Sequence, residues 1–530
     1  IKGMIMVYGL LKRYLGLLFL SACIIPNLFA GVTQKKEKPV MFQVRKDIKY
    51  QVIDNFGASD AWRIAFVGRY WPVEKREKIA DLLFSTKMDT NGNPIGIGLS
   101  NWRVNIGAGS FENRENKEVT STWNRTECFL SPDGSYDFSK QAGQQWFMKA
   151  AKERGVDDFL FFTNSAPYFM TRSGSTLASD KKRINLQHDK FDDFADFLAL
   201  TTKHFIDEGF NVRYISPINE PQIDWGENKW QEGSFATNQD AYMLVGELDK
   251  ALTRHGVSSK IVFGEVADMK YLFDCDTSLT MPDNIIEEFF TRKGQYNIMG
   301  MPNVYNCVSA HDYWSAYPAK TLVGLRQKIR GALSAADNGT KFWASEYCIL
   351  EKNDEISGEP SPAKSLNLGL YVARIIHTDL AVANASAWQW WTAVSLGEDV
   401  PIQLKPKEHS TAESLKYDGI VSPTKMLWAT GNFSLFIRPG MWRISLDREP
   451  EISELEAATS LMSSAYTDGE KVVLVFINYE DKQKEVKIRC GNSTKGKMFV
   501  TDMDKNLEYT GEHKLSELII APKAVVTVVI

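Results

Sequence analysis

The feature that most constrains the fold is a regular alternation of short apolar runs with longer segments of helical periodicity. The short runs are rich in β-branched and aromatic residues, which is typical of strands. Eight such runs occur, at residues 51–62, 98–109, 158–167, 211–221, 260–268, 306–314, 341–350 and 385–391. Seven helical segments lie between them, at residues 74–85, 139–155, 192–209, 238–256, 283–293, 320–335 and 363–383. Eight strands alternating with helices predict an α/β fold of the (β/α)₈ barrel type.

The alternative to a barrel is an open, doubly wound parallel sheet. Such sheets commonly bind nucleotides through a glycine-rich loop after the first strand. No such loop follows residues 51–62, and the glycines at 96 and 98 precede a strand instead. Loops that follow strands are long, as at 107–138 and 221–237, whereas loops that precede strands are brief. This asymmetry favours the barrel, whose strand-to-helix loops form the active face.

The pattern changes after the eighth strand. From about residue 428 the apolar runs shorten and alternate, with turn signals such as Asp-Gly between them. This pattern predicts an antiparallel β-sandwich. We therefore assign residues 53–425 to the barrel and 426–530 to the sandwich, and expect strands within 31–52 to join the sandwich. No flexible linker separates the two parts, which predicts a rigid junction.

The first 30 residues read as an export signal. Lys12 and Arg13 precede an apolar run that is too short for a membrane span. Cys23 closes a sequence that resembles a lipoprotein box, so a lipid anchor at Cys23 is one alternative. Cleavage after Ala30 by an ordinary signal peptidase is the other. Both predict an exported protein that is periplasmic, secreted or an outer-membrane lipoprotein, without an integral membrane span.

Composition narrows the range of partners. The formal net charge of −4 argues against nucleic acid. The seven His and six Cys form none of the spacings typical of metal sites, and no nucleotide-binding loop is present, so we expect no metal and no cofactor. Fourteen Trp residues suit either a large core or the flat apolar faces of sugars. We expect a monomer.

Polar residues stand where most of the predicted strands end. In a barrel this position is the mouth, so polar residues there indicate a reaction centre. Glu220, after strand four, and Glu346, after strand seven, are the leading pair, because these strands lie across the mouth from each other. Two carboxyls about 5 Å apart would suit a retaining glycosidase. The other strand-end candidates are Asp60, Arg103, Asn164, Asn219, Glu265, His311, Asp312, Tyr313 and Trp390.

Several longer motifs resemble a known family. The triplet Asn219-Glu220-Pro221 ending strand four, with Glu346 ending strand seven, resembles the retaining (β/α)₈ glycoside hydrolases. The stretches NFGASDAW, LSNWRVNIGAGS, SAHDYWS, KFWASEY and ATGNFSLFIRPGMWRI are similar to glycoside hydrolase family 30 in particular. The resemblance runs from about residue 45 to the end of the chain and includes the sandwich.

This resemblance implies a role for each matching residue. Glu220 would be the general acid/base and Glu346 the nucleophile. Asn219 would bind the sugar 2-hydroxyl, Tyr313 would donate a hydrogen bond to Glu346, and Arg103 would lie beneath the nucleophile. His311 and Trp390 would line the subsite of the sugar whose bond is cleaved. The full set of implied substrate-binding residues is Asp60, Trp62, Arg103, Asn164, Tyr168, Asn219, His311, Tyr313 and Trp390.

Two points about the aromatic residues qualify this assignment. Tyr168 stands where some relatives carry Trp. Strand alternation places Trp388 and Trp390 on one face and Trp391 on the other, so at least one of the three belongs to the core.

The implied substrate is a β-linked oligo- or polysaccharide. The motifs NWRVNIGAGS and NSAPYFMTRSG are most similar to those of the endo-β-1,6-galactanase branch, which acts on arabinogalactan side chains. Other family activities stay open, namely β-1,6-glucanase, glucuronoxylanase, β-glucosylceramidase, β-xylosidase and β-fucosidase. A transglycosylase, or a non-catalytic carbohydrate-binding protein on the same fold, is also compatible with the sequence.

Overall fold

Eight parallel strands close into a barrel, as the alternating pattern predicts. The computed structural model describes residues 38–113, 119–177, 182–226, 230–274, 283–411 and 413–530. After a first strand β1 (Val40–Val52), each barrel strand pairs in parallel with the next, and the last pairs with the first. The barrel strands are β2 (Asn55–Ser59), β3 (Asn101–Asn105), β4 (Asp158–Phe162), β5 (Val212–Ser216), β6 (Lys260–Val266), β7 (Val304–His311), β8 (Lys341–Tyr347) and β9 (Ala385–Trp390).

Helices cover the outside of the barrel. All seven predicted helices are present among the described residues, together with three that were not predicted: α1 (Arg63–Tyr70), which lies shortly after β2, and two more beyond the last barrel strand. Helix α1 was not predicted because Gly68 interrupts its periodicity and lowers its helix propensity. The helices are α1 (Arg63–Tyr70), α2 (Val73–Phe84), α3 (Ala142–Glu153), α4 (Phe191–Asp207), α5 (Asn238–His255), α6 (Ile285–Phe290), α7 (Ala319–Ala336), α8 (Pro362–Ala381), α9 (Lys425–Ser434) and α10 (Glu454–Ala458).

A small sheet follows the last barrel strand, and a large sheet completes the chain. The small sheet contains β10 (Val394–Ser395), β11 (Ile402–Lys405) and β12 (Ile420–Pro423). The large sheet has the strand order β18-β17-β20-β15-β14-β13-β1-β16-β19. Its strands in the last part of the chain are β13 (Trp442–Glu449), β14 (Leu461–Thr467), β15 (Val472–Asn478), β16 (Lys484–Arg489), β17 (Lys495–Thr501), β18 (Glu508–Lys514), β19 (Leu518–Ile520) and β20 (Ala524–Val529).

The large sheet folds over its own core. Met498 of β17 and Ile520 of β19 stand near opposite ends of the strand order, yet both belong to one buried apolar cluster. Strand β1 pairs antiparallel with β13 and parallel with β16, so one pair in this sheet departs from the predicted antiparallel pattern. Phe42 and Val44 alternate into the cluster, as expected for a strand with one buried face.

The large sheet and the barrel share apolar surface. Every residue of β15 is buried. Leu474 and Phe476 point into the core of the sheet, whereas Val473 and Val475 belong to the cluster that includes the barrel. A strand covered on both faces reads as an unbroken apolar run, which accounts for the sequence VVLVFIN. Residues 39–530 accordingly form one compact unit.

The export signal predicted within residues 1–30, and Cys23 with it, lies outside the described residues. Within the part of the chain that is described, no helix combines the length and apolar character needed to cross a membrane.

Helices α1 and α3 approach each other closely enough to predict the effect of a substitution. A Cβ added at Gly68 would lie 2.1 Å from the carbonyl oxygen of Gly143, and one at Gly143 would lie 2.0 Å from that of Ala65. Backbone atoms cannot move aside as a flexible side chain would. We expect Gly68→Ala to destabilise the protein by about 1–3 kcal/mol, measured as a lower thermal midpoint.

The matched control is Gly331→Ala in α7, where an added Cβ would meet no atom within 4 Å. This substitution should raise stability by up to about 1 kcal/mol, because Ala favours a helix over Gly. Equal effects of the two substitutions would contradict the role assigned to the contact between α1 and α3.

Candidate active site

The carboxyl ends of the barrel strands surround a cavity of about 340 Å³. Glu220 and Glu346 both line it, together with Tyr313 and Trp391. Glu220 lies shortly after β5, and Glu346 lies near the end of β8. The two predicted glutamates therefore meet in one cavity, and an oxygen of each lies within 4.8 Å of the other.

The backbone at two strand ends adopts an uncommon conformation. Glu220 and Glu265 both have φ of +44°, in the left-handed region that non-glycine residues rarely occupy. The amide of Glu220 donates to the carbonyl of Glu265 at 2.9 Å, and the amide of Glu265 donates to Ser309 Oγ at 3.0 Å. These hydrogen bonds hold a strained geometry of the kind that clusters at functional sites.

Arg103 anchors three side chains beneath the cavity. Its guanidinium is buried and donates from Nη1 to Glu346 Oε2. From Nη2 it donates to Glu265 Oε2 at 2.7 Å and to Asn219 Oδ1 at 3.2 Å. Glu346 also accepts a hydrogen bond from the hydroxyl of Tyr313 at 3.0 Å. One oxygen of Glu346 is thus held by a fixed cation and the other by a phenol.

His311 lies between the carboxyl groups. Its Nδ1 is 2.9 Å from Glu220 Oε1 and 3.3 Å from Glu346 Oε1, and its Nε2 is 3.0 Å from Glu265 Oε2. Burial alone would lower the pKa of His311, but the charge of Glu346 and the hydrogen bonds to Glu220 and Glu265 raise this pKa to about 10. The imidazole is therefore a second cation and donates from both nitrogens.

The carboxyl groups of Glu220 and Glu265 respond differently to burial. Burial raises the pKa of Glu220, and the nearby charge of Glu346 raises it further. Burial also acts to raise the pKa of Glu265, but Arg103 and His311 outweigh it and lower that pKa to about 2. Glu220, which lines the cavity, therefore tends to keep its proton, whereas Glu265, which does not line the cavity, stays ionised.

Glu220, His311 and Glu346 form the one group of His, Cys, Asp or Glu within the described ranges whose spacing would suit a metal ion. Arg103 already occupies one oxygen of Glu346, and the His311 nitrogens are protonated donors. A cation at this place would face two positive charges, so the arrangement suits proton transfer better than metal binding.

The structure brings only part of the predicted substrate-binding set to the cavity. Trp62 and Tyr313 line it, whereas Arg103, Asn219 and His311 support it from below. Asn164 and Asn219 line a separate void of about 20 Å³, and neither amide atom of Asn164 has a hydrogen-bond partner among the described residues.

Two predicted residues, Asp60 and Tyr168, lie outside the cavity lining. Asp60 is buried and accepts from the Asn105 amide at 2.9 Å and from Gln144 Nε2 at 2.8 Å. Burial raises the pKa of Asp60 to about 7. Tyr168 does not line the cavity, and its ring lies against Gly109.

Trp390 and Trp391 lie in different surroundings. Trp390 is 2% exposed, belongs to the barrel core, contacts Tyr347 at a ring distance of 6.1 Å and does not line the cavity, so its place in the sugar subsite stays a prediction. Trp391 lines the cavity instead and meets Trp62 edge to face at 5.1 Å. Trp391 follows the last residue of β9 and therefore no longer obeys strand alternation.

Several cavity residues were not singled out from the sequence. Most of them come from the loops that follow barrel strands, and their signal is the presence of tryptophan in long polar loops. Trp230 and Trp314 are 49% and 58% exposed, which is uncommon for such large apolar side chains. Asp312, a strand-end candidate, does not line the cavity; its Oδ1 lies 3.4 Å from Nη2 of Arg326. The missed cavity residues include Asn124, Trp225, Trp230 and Trp314 from these loops and Arg63 from the start of α1.

A closed (β/α)₈ barrel with two carboxyls in one cavity at its mouth is the arrangement of a glycosidase. The model of O-glycosyl hydrolase family 30 matches residues 39–399. The chain therefore belongs to glycoside hydrolase family 30.

Individual relatives differ in how much of the chain they match. A crystal structure of a conserved exported protein from Bacteroides fragilis is 61% identical, with a TM-score of 0.92, and covers 92% of this chain and 100% of that one. An endo-β-1,6-galactanase from Hypocrea rufa is 20% identical over 64% of this chain and 66% of its own length. An exo-β-1,6-galactobiohydrolase from Bifidobacterium longum subsp. longum is 36% identical over 18% of this chain, a stretch that spans 6% of that protein.

The shifted pKa of Glu265 predicts how stability depends on pH. A carboxyl whose pKa falls from 4.5 when unfolded to about 2 when folded stabilises the protein above pH 4.5. This contribution is lost as the pH falls from 4.5 towards 2. We expect Glu265→Gln to lower the free energy of unfolding by about 3 kcal/mol at pH 7.

Thermal midpoints of the two proteins measured across this pH window provide the check, because their difference should shrink as the pH falls. Glu470→Gln, at an exposed position, serves as the control and should behave like the wild type throughout. A difference that stays constant down to pH 2 would rule out the ionised, paired state of Glu265.

Proposed function

We propose that this protein is a retaining endo-β-1,6-galactanase that acts on arabinogalactan side chains. The observation that carries the mechanism is the pair Glu220 and Glu346, whose oxygens approach within 4.8 Å in one cavity. Retaining glycosidases use carboxyl groups about 5–5.5 Å apart, whereas inverting enzymes need a wider gap for a water molecule.

The surroundings of the two carboxyls would give them different roles, one as nucleophile and the other as proton donor. Glu346 accepts hydrogen bonds from Arg103 and Tyr313, which fix the position of its oxygens, and would attack the anomeric carbon. Glu220, whose pKa is raised, would give its proton to the glycosidic oxygen as the bond breaks. A covalent glycosyl-enzyme and the free leaving-group sugar result.

The second step reverses these roles. Glu220, now ionised, would take a proton from a water molecule, and the water oxygen would attack the anomeric carbon. The bond to Glu346 breaks, and the carboxylate returns to Arg103. Two inversions at one carbon give a product of retained β-configuration.

The remaining side chains would position the sugar. Asn219, held through its oxygen by Arg103, would offer its amide nitrogen to the sugar 2-hydroxyl, where a stronger contact in the transition state lowers the barrier. Trp391 takes the place proposed above for Trp390 and would offer an apolar surface to the sugar ring. Trp62 supports Trp391 edge to face.

The choice of galactan is supported by the sequence motifs and by relatives. The two curated relatives above are named for β-1,6-galactan chemistry, one endo-acting and one exo-acting. Export of this protein is supported by the apolar segment near its start and by the Bacteroides fragilis relative, which is described as exported.

A panel of β-linked polysaccharides tests the substrate and the stereochemistry together. Incubation with β-1,6-galactan, β-1,6-glucan and glucuronoxylan, followed by NMR in real time, should show oligosaccharides released from galactan with the β-anomer appearing first. Release from glucan or xylan alone would overturn the choice of substrate. An α-anomer as first product would overturn the double displacement.

Azide rescue tests the roles of the two glutamates. With an aryl β-glycoside as substrate, Glu346→Ala should lose about 10⁴-fold or more in kcat, because no nucleophile remains. Added azide should restore turnover and give an α-glycosyl azide after a single displacement. Glu220→Ala should lose about 10²–10⁴-fold on natural substrates and give a β-glycosyl azide.

The control for both variants is Glu470→Gln, which should retain full activity. Exchange of the two azide configurations would reverse the assignment of acid/base and nucleophile. Binding of galactan by the wild type without any turnover would favour the non-catalytic carbohydrate-binding alternative.

A further inference from the structure

A positive charge without a carboxylate partner lines the wall of the active-site cavity. Arg63, the first residue of α1, lines the same cavity as Glu220 and Glu346. Its Nη1 donates to Asn124 Oδ1 at 2.6 Å, and its guanidinium lies 5.1 Å from the centre of the Trp123 ring. Its Nε is buried without a hydrogen-bond partner, and Arg63 forms no ion pair with any residue that the structure describes.

Two neighbouring cations, unlike Arg63, are paired with carboxylates. Arg103, deeper in the site, is paired with Glu346 and Glu265. Lys416 lies 5.5 Å from the other partner of Arg63, the Trp123 ring, and is paired with Glu413. Burial lowers the pKa of Arg63 to about 10, and no nearby carboxylate counteracts this shift. Within the part of the chain that the structure describes, no carboxylate therefore compensates the desolvation of this cation.

The start of α1 adds positive potential to the same wall. The residue before the helix, Trp62, provides no side-chain cap, and no acidic residue stands in the first turn. The positive end of the helix dipole is therefore not neutralised locally. Trp62 is 7% exposed, lines the cavity, and its Nε1 has no hydrogen-bond partner among the described residues.

We propose that Arg63 binds an anionic substituent of the sugar chain, a uronic acid carboxylate or a sulfate ester. This inference rests on the proposed function, since the anion is carried by the saccharide that occupies the catalytic cavity. The planar guanidinium can offer two parallel N–H groups to an oxyanion, which a lysine cannot. Asn124 holds one arm of the guanidinium at Nη1 and so restricts its orientation. The substrate would then supply the negative charge that Arg63 does not find among the described residues.

The proposed contact between Arg63 and an anionic sugar substituent can be tested by measuring glycoside binding, without turnover. Methyl β-D-glucuronide and methyl β-D-glucoside differ only in a carboxylate against a hydroxymethyl group, and methyl β-D-galactoside 6-sulfate against methyl β-D-galactoside provides the sulfate arm. Ligand-observed NMR at pH 7, in the Glu346→Gln background, should show preference for the charged member of at least one pair. A charged group held by hydrogen bonds is expected to favour binding about 10- to 100-fold. The arm that shows the preference identifies the anion.

Arg63→Gln should abolish this preference while leaving the affinity for the neutral glycosides unchanged. Arg63→Lys should retain part of it, because the charge remains and the planar fork is lost. Arg69→Gln, on the exposed part of the same helix, is the matched control and should bind like the parent. Equal binding of charged and neutral glycosides by the parent, or a preference that survives Arg63→Gln, would overturn the proposal. Equal weakening of all four glycosides by Arg63→Gln would show a structural role for Arg63 and would also overturn it.

Hydrolysis separates this proposal from the proposed function. Absence of cleavage of any polysaccharide would refute the glycosidase reading of the site, while the binding comparison would still decide the role of Arg63. Cleavage of neutral galactan oligosaccharides with the same kcat/KM as both their uronic acid-bearing and their sulfated counterparts would refute the role of Arg63 and leave the galactanase intact.

Discussion

The active site depends on one buried cation. Arg103 joins side chains from three parts of the barrel mouth, Glu346, Glu265 and Asn219, and its guanidinium lies 4.0 Å from the centre of the Phe162 ring. Placing two carboxylates together in a dry cavity would cost several kcal/mol for each ion. A guanidinium is always charged and has enough donors to serve all three partners at fixed angles. The positions of the other catalytic groups follow from it.

Charge balance distinguishes Glu220 from Glu346, the two glutamates proposed to act in catalysis. Arg103 and His311 supply two positive charges, and Glu265 and Glu346 can neutralise them. Glu220 is the third carboxyl, so its ionisation adds a charge that the buried site does not balance. This excess of carboxyls over cations acts together with burial to raise the pKa of Glu220. Glu265 contributes to this balance although it does not line the cavity.

Periodicity was sufficient to predict the barrel, since strand and helix patterns alternate clearly through residues 51–391. The strand ends then predicted Glu220 and Glu346, because polar residues there cannot belong to the barrel core. Other features depend on geometry that a sequence does not contain. Strand alternation places Trp390 and Trp391 on opposite faces of β9 but does not say which face belongs to the barrel core. Trp391 also lies one residue beyond the end of β9, where alternation no longer applies. Helix α1 was hidden by Gly68, whose small size is needed for contact with α3.

The position of β1 has a consequence for the order in which the sheet can form. This strand is made before the barrel, yet its partners β13 and β16 come after it, as the pairing of Phe42 with Arg448 and Ile488 shows. Both edges of β1 therefore stay unpaired during synthesis until β13 and β16 have been made, near the end of the chain. Unpaired strand edges invite association with other chains. The stretch RKDIKY within β1 carries charged side chains that are largely exposed. Charges at a strand edge oppose pairing with other chains.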